Sequence, residues 1–426
     1  MKISSDRGDR WRWILLLTLL ALLTTLATRC DHDGQLRSAR IVGDSMAESR
    51  LGAHVMVSCQ DCRYSFACSA AQLPMDSLVI CPNCGFADNN VAHLPRAAGE
   101  RVTLDRNAFV EVSPSRWEVV AVRDPNQPSR MTVKRVVGLP GEQIELQHGD
   151  VFVDGKIARK TLDELRSMAI FVHDADHPPT MTEDAPLRWD SRVPAGTVTG
   201  VPELPGADGV DYRHMDCSPL ATARFQRSPI WDYSAYNQAL ETRAHYVTDV
   251  LVRFSAQGHD TSAILVVMRT GVITVDVTID LDRQQLTVGM DGAQQGAIRL
   301  PEIGSEMFDV EVAWCDQQVM VGIDGHEVLR QSWDPGDEPF EPSTTPIRIG
   351  WRGGRPALAG LHVSRDVYYL NPGGANDHWV AERRLENDEF FLLGDNPPIS
   401  VDGRNWIPDL GSKVNSLLGK VLSVTQ

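Results

Sequence analysis

Two short stretches of this chain carry side chains that become reactive only in each other's company. One is Gly43-Asp44-Ser45-Met46 and the other is Val133-Lys134-Arg135-Val136-Val137-Gly138-Leu139-Pro140-Gly141-Glu142. A serine hydroxyl is a poor nucleophile until a neighbouring base takes its proton. Lysine is such a base only when neutral, and burial among apolar residues penalises the ammonium and lowers its pKa. Val133, Val136 and Val137 around Lys134 are residues of that kind. Taken singly, Ser45 reads as a turn residue and Lys134 as a strand-edge lysine. A second chemistry sits in the thiols: Cys59 and Cys62, then eighteen residues, then Cys81 and Cys84, with Cys68 between the pairs. Paired Cys-x-x-Cys knuckles at this spacing read as a four-thiolate zinc ribbon. An exported chain meets oxidising conditions, so disulfides compete with that reading. Thioredoxin-like redox chemistry is not expected, because neither pair opens a helix in a βαβ unit.

The elements that must position these groups are mostly strands. Short alternating segments punctuated by glycine run from residue 100 to residue 156: 101–104, 117–122, 131–137, 143–146 and 151–153. A short helix is expected at 160–168. From about 170 to 375 the strands lengthen and alternate strictly, as in 272–279, 308–314 and 319–323, the last closed by Asp324-Gly325. Period-two alternation with frequent turns predicts an antiparallel sandwich. The segment 389–426 returns to short strands. The expected fold is therefore mainly β, in four parts: 1–29, 41–160 with an inserted cysteine-rich stretch at 56–90, 170–375, and 389–426.

The N-terminus reads as a targeting segment. Lys2, Arg7, Arg10 and Arg12 precede an uncharged, leucine-rich run of sixteen residues, 13–28, with Trp11 and Trp13 at its front edge. A cleaved signal peptide is the competing reading. Arg29 stands where a small residue would be wanted and no A-x-A follows, which favours a retained transmembrane anchor with its positive end in the cytoplasm. The 41 basic and 57 acidic residues leave a net charge of −16, which gives no general attraction to nucleic acid.

In their order the motifs resemble bacterial type I signal peptidases. The resemblance rests on the Gly-x-Ser-Met stretch, on Gly99-Glu100-Arg101-Val102 with 117–122, on the Lys134–Glu142 segment, and on Leu393-Gly394-Asp395-Asn396 followed by Ser400, Asp402, Gly403 and Arg404. It implies a β-barrel-like peptidase core behind an N-terminal transmembrane helix, covering roughly 10–55, 99–160 and 389–426. It further implies Ser45 as nucleophile, Lys134 as general base, and Ser400 as the hydroxyl that orients the lysine amine. Arg135 would pair with Asp395, and Asp402 with Arg404 would brace the same loop. The backbone N–H of Ser45 would hold the oxyanion, since Gly43 offers no side-chain donor. Glu48-Ser49-Arg50 departs from the family's usual Pro-Thr-Leu after Ser-Met-x, near where substrate should pass. The cysteine stretch and the long β insertion together resemble signal peptidases of planctomycete bacteria, and the insertion itself resembles a concanavalin-like or laminin-G jelly roll.

The expected activity is removal of signal peptides from exported preproteins at the cytoplasmic membrane, with the catalytic part on the periplasmic side. No cofactor is expected for catalysis; a structural zinc ion at Cys59, Cys62, Cys81 and Cys84 is. The alternative is a membrane-anchored glycan- or protein-binding module with a vestigial peptidase core.

Overall fold

A computed structural model describes residues 36–180, 188–190, 208–218, 221, 226–240, 245–258, 260–303, 306–334, 336, 341–369, 378–406, 412–413 and 417–425. Among them no helix is long and apolar enough to cross a membrane. The anchor expected at 13–28 lies outside the described residues.

Consecutive apolar residues at 119–122 and 390–393 require strands covered on both faces, and the fold supplies that cover. They lie in a seven-stranded antiparallel sheet ordered Leu36–Arg40, Arg101–Asp105, Leu417–Thr425, Val119–Asp124, Gln127–Gly138, Glu389–Leu393 and Ser412–Lys413. Val120, Val122, Val136, Phe390, Leu392 and Trp406 pack on one another in this sheet. Trp117, Val137, Phe391 and Leu393 join a second cluster with Ile144, Leu146 and Val151, residues of a four-stranded sheet built from 144–157 and His378–Val380. The longest strand, Gln127–Gly138, is exposed at its start and fully buried from Lys134 onward. The strands that carry Lys134 and the residues before Gly394 are thus neighbours, with Leu393 opposite Arg135.

The stretch between these two halves of the core folds as a two-layer antiparallel sandwich. One sheet has the order Ile170–Asp174, Ala357–Arg365, Val250–Gln257, Phe308–Cys315, Gln318–Ile323 and His326–Ser332. The other runs Trp189–Asp190, Asp208–Tyr212, Ile347–Gly353, Thr261–Arg269, Thr274–Asp280, Gln285–Met290 and Ala293–Arg299. Alternate side chains such as Val252, Phe254, Val266, Val277, Val312 and Ile349 fill the space between the sheets. The hairpin turn at Asp324-Gly325 has both residues at positive φ, 49° and 80°, which a two-residue type I′ turn needs and which glycine supplies without steric cost. Ile170 pairs with Arg365, so the sandwich departs from the core and returns to it side by side.

The helix expected at 160–168 is shorter, Leu162–Arg166, because Thr161 caps it. Thr161 and Glu164 form a reciprocal capping box, while Leu162 and Leu165 are buried. Just before it, Lys160 is 1% exposed and joins core to sandwich, its Nζ 2.8 Å from both Asp316 Oδ1 and Asp366 Oδ2. Burial opposes the ammonium there, but the two carboxylates hold its pKa well above the usual lysine range. The cysteine-rich stretch forms a three-stranded sheet, ordered Ser65–Ser69, His54–Ser58 and Arg96–Ala97, beside the pair Leu78–Val79 and Asn89–Asn90.

Candidate active site

Ser45 lies in the turn-rich loop between Leu36–Arg40 and His54–Ser58. The loop is pinned by its own apolar residues, since Met46 is 1% and Ala47 2% exposed, and tightened by a hydrogen bond from Arg50 N to Met46 O of 2.8 Å. Asn396 fixes it from across the core. The backbone N–H of Asn396 donates to Ser45 O at 3.0 Å, and its Nδ2 donates to Asp44 O at 3.0 Å. Ser45 itself is half-buried.

Lys134 comes from the buried half of its strand, opposite Val120, and is 1% exposed. Its Nζ donates to Ser400 Oγ at 3.1 Å. Burial pulls its pKa down to about 8. The nearest charges oppose one another, because Asp402 favours the ammonium and Arg404 disfavours it. Arg404 Nε and Nη2 each lie 2.8 Å from an Asp402 oxygen, so the pair is nearly neutral as seen from the lysine and desolvation decides. Burial also works against the Asp402 carboxylate, yet Arg404 and Lys134 hold its pKa below the usual range.

The segment from Gly394 to Arg404 ties these groups together. A Cβ on Gly394 would lie 2.2 Å from Ser400 Oγ and 2.3 Å from Ser45 O. Only a residue without a side chain lets the Ser45 loop and Ser400 meet at this point. Gly394 N donates to Asp402 Oδ2 at 3.0 Å. Next to it, Asp395 takes a bidentate grip from Arg135, with Nε at 2.8 Å and Nη2 at 2.6 Å. Arg135 also donates to Trp117 O at 2.7 Å. Burial alone would lower the guanidinium pKa; Asp395 more than offsets it, leaving Arg135 permanently charged. Ser49 donates to the same Asp395 carboxylate, which links the far end of the Ser45 loop to this pair.

The residues singled out in the sequence therefore fall into one neighbourhood: Lys134 with Ser400, Arg135 with Asp395, Asp402 with Arg404, and the Ser45 loop against Gly394 and Asn396. The unusual Glu48-Ser49-Arg50 has partners of its own. Ser49 binds Asp395, and Glu48 Oε1 accepts from Ser234 Oγ at 2.7 Å. Burial raises the Glu48 pKa against the opposing effects of Ser234 and Arg365. Three residues of the insertion that bond Glu48, Asp44 and Asn396 belong to no motif in the sequence: Ser234, Tyr236 and Asn237. The one local sign is the density of aromatic and amide side chains without period at 231–238.

The four cysteines converge. Their sulfurs all lie within 4.8 Å of one another, with Cys59–Cys84 and Cys62–Cys81 each at 3.6 Å. Sulfurs bound at about 2.3 Å to one tetrahedral ion stand about 3.8 Å apart, whereas a disulfide needs about 2.05 Å. The set matches the first geometry and can hold a structural metal. Cys68 is buried apart from it, and burial pushes its thiol up to about 12.

A family model described as signal peptidase, peptidase S26, matches residues 11–200. This supports the signal peptidase family and a peptidase activity in general terms. The matched span holds Ser45 and Lys134, while Ser400, Asp402 and Arg404 lie beyond it. No curated protein matches the chain. Among solved structures, the carbohydrate binding module CBM66 from Bacillus subtilis is 9% identical at a TM-score of 0.22, covering 27% of this chain and 74% of that one. The galectin LEC-6 of Caenorhabditis elegans is 13% identical at a TM-score of 0.20, with 27% and 80% covered. A Bacillus licheniformis beta-glucanase is 12% identical at a TM-score of 0.21, with 27% and 64% covered. Likeness at this level carries no argument about what the sandwich binds.

Proposed function

We propose that the chain is a membrane-anchored signal peptidase of the type I kind, which removes signal peptides from exported preproteins through a Ser45–Lys134 dyad. The observation that carries this reading is the Lys134 amine. It is buried, its pKa is drawn down to about 8, and it donates to Ser400 Oγ, which closes on Gly394 from one side as the loop bearing Ser45 does from the other.

A lysine in that state has a usable fraction of neutral amine near neutral pH. Ser400 accepts one N–H of the amine and so directs the remaining valences, including the lone pair. Neutral Lys134 takes the Ser45 proton as the oxygen attacks the scissile carbonyl. The resulting ammonium protonates the departing amine, leaving an acyl-enzyme ester on Ser45. Water, activated by the neutral amine, then hydrolyses the ester. The Asp402–Arg404 pair holds the lysine's surroundings nearly neutral, and Arg135–Asp395 fixes the adjacent backbone. The resemblance implies small residues at −3 and −1 of the cleaved peptide and a single-pass anchor in the cytoplasmic membrane, with the site on the periplasmic side. Zinc is the metal proposed for Cys59, Cys62, Cys81 and Cys84, in a structural role.

The test is cleavage of a preprotein in detergent by wild type, Ser45→Ala and Lys134→Ala. Processing by wild type alone is expected. Equal processing by all three overturns the dyad, and no processing by any leaves the binding-module reading standing.

A further inference from the structure

The loop at 231–238 belongs by sequence to the inserted sandwich, yet its side chains reach the peptidase centre. Tyr236 Oη donates to Asp44 Oδ1 at 2.9 Å. Ser69 of the cysteine-rich stretch donates to the other Asp44 oxygen, and Ser69 N donates to Tyr236 O at 2.9 Å. Asn237 and Asn396 exchange side-chain amides, Asn237 Nδ2 to Asn396 Oδ1 at 2.7 Å and Asn396 Nδ2 to Asn237 Oδ1 at 3.0 Å. Asn396 is the residue that binds the carbonyls of both Asp44 and Ser45. Ser234 adds its bond to Glu48. The loop is fastened behind by Arg365, whose Nη2 donates to Asp232 O and Tyr233 O at 2.9 and 3.0 Å. It is fastened beside the thiol cluster by Gln238, which exchanges hydrogen bonds of 2.9 and 3.0 Å with the backbone of Ile80.

Tyr236, Asn237, Gln238, Ser69 and Asn396 are each 3% exposed or less. A buried polar network is costly unless its members are paired, and when paired it specifies one geometry. The phenol-to-carboxylate bond is of the stronger, charge-assisted kind. A nucleophile displaced by about 1 Å loses on the order of 100-fold in rate, so the groups that fix the backbone around Ser45 bear directly on kcat.

We infer that Tyr236 and Asn237 are positioning residues for Ser45: the sandwich insertion completes the catalytic centre by clasping Asp44 and Asn396. The inference rests on the peptidase reading for its effect on turnover and on geometry alone for its effect on the loop.

The test uses the full chain in detergent, as wild type, Tyr236→Phe and Asn237→Ala. With a preprotein substrate, kcat is expected to fall by about tenfold or more in each variant, with KM within about twofold. The acid limb of the pH profile is expected to stay in place, since Lys134 keeps its surroundings. Hydrogen exchange provides a readout independent of turnover. Amides at 43–50 should exchange faster in both variants, while those of Gln127–Gly138 stay at wild-type values and the unfolding midpoint falls only modestly, by what one lost buried hydrogen bond costs, about 1–3 kcal/mol. Unchanged kcat in both variants, or unchanged exchange at 43–50, overturns the inference. So does a loss of kcat that appears only at temperatures where the variant has begun to unfold. A wild type that cleaves nothing, with exchange at 43–50 responding as described, would sink the peptidase reading and leave the clasp intact.

Discussion

Arg404 grips Asp402 with two hydrogen bonds of 2.8 Å, and this pairing governs how much negative charge Lys134 feels. With Lys134 neutral in the active form, kcat/KM should rise with pH through an acid limb near pH 8. Arg404→Met leaves Asp402 able to favour the ammonium, so the limb should move to higher pH and activity at pH 7 should drop. A pH profile of both proteins checks this; a limb that stays still would remove Arg404 from the electrostatics of the site.

Lysine 134 should cost stability in return for its chemistry. Its pKa is about 8 in the folded chain against 10.5 in the ordinary state. Between those values the unfolded chain binds the extra proton, so this group's contribution to stability improves as pH rises through the window. Below pH 8 the penalty is fully present, and Lys134→Met should gain up to about 3 kcal/mol there. The gain should vanish near pH 10.5. Urea unfolding of both proteins at pH 7 and pH 10 measures the difference.

Gly394→Ala puts a methyl group against Ser400 Oγ and Ser45 O at once. The neighbours must shift, and both belong to the proposed reaction. Cleavage should fall by about 100-fold or more, while stability falls by only about 1–3 kcal/mol. Parallel assays of turnover and unfolding separate the two effects, and retained turnover would contradict the close approach.

For the thiol cluster, purified protein should carry one zinc ion per chain. Chelation or Cys81→Ser should lower the unfolding midpoint and loosen Ser69, which holds Asp44. Metal analysis with a thiol titration decides it: no metal together with no free thiols among these four would point to disulfides.

Much of this architecture was legible in the sequence because it is local. The expected strand at 131–137 lies inside Gln127–Gly138, and 308–314 and 319–323 are Phe308–Cys315 and Gln318–Ile323 to within a residue or two. Burial of alternate or consecutive apolar residues writes such strands directly into the residue pattern. The clasp was illegible for the opposite reason. Tyr236 meets Asp44 across 192 positions and Asn237 meets Asn396 across 159, and hydrogen-bonded side chains at such separations leave no periodicity. The role of Glu48 was hidden likewise, since its partner Ser234 is 186 positions away.

The side-by-side departure and return of the sandwich at Ile170 and Arg365 bears on how the chain finds its fold. Lys134 and Ser400 are 266 positions apart, a separation that ordinarily slows folding through its contact order. Once the sandwich has formed, its paired ends act as a short tether, and the loop the core must still close shrinks accordingly. The entropy saved is only about 1 kcal/mol, which favours an order of events in which the inserted sandwich folds before the two halves of the core meet across it.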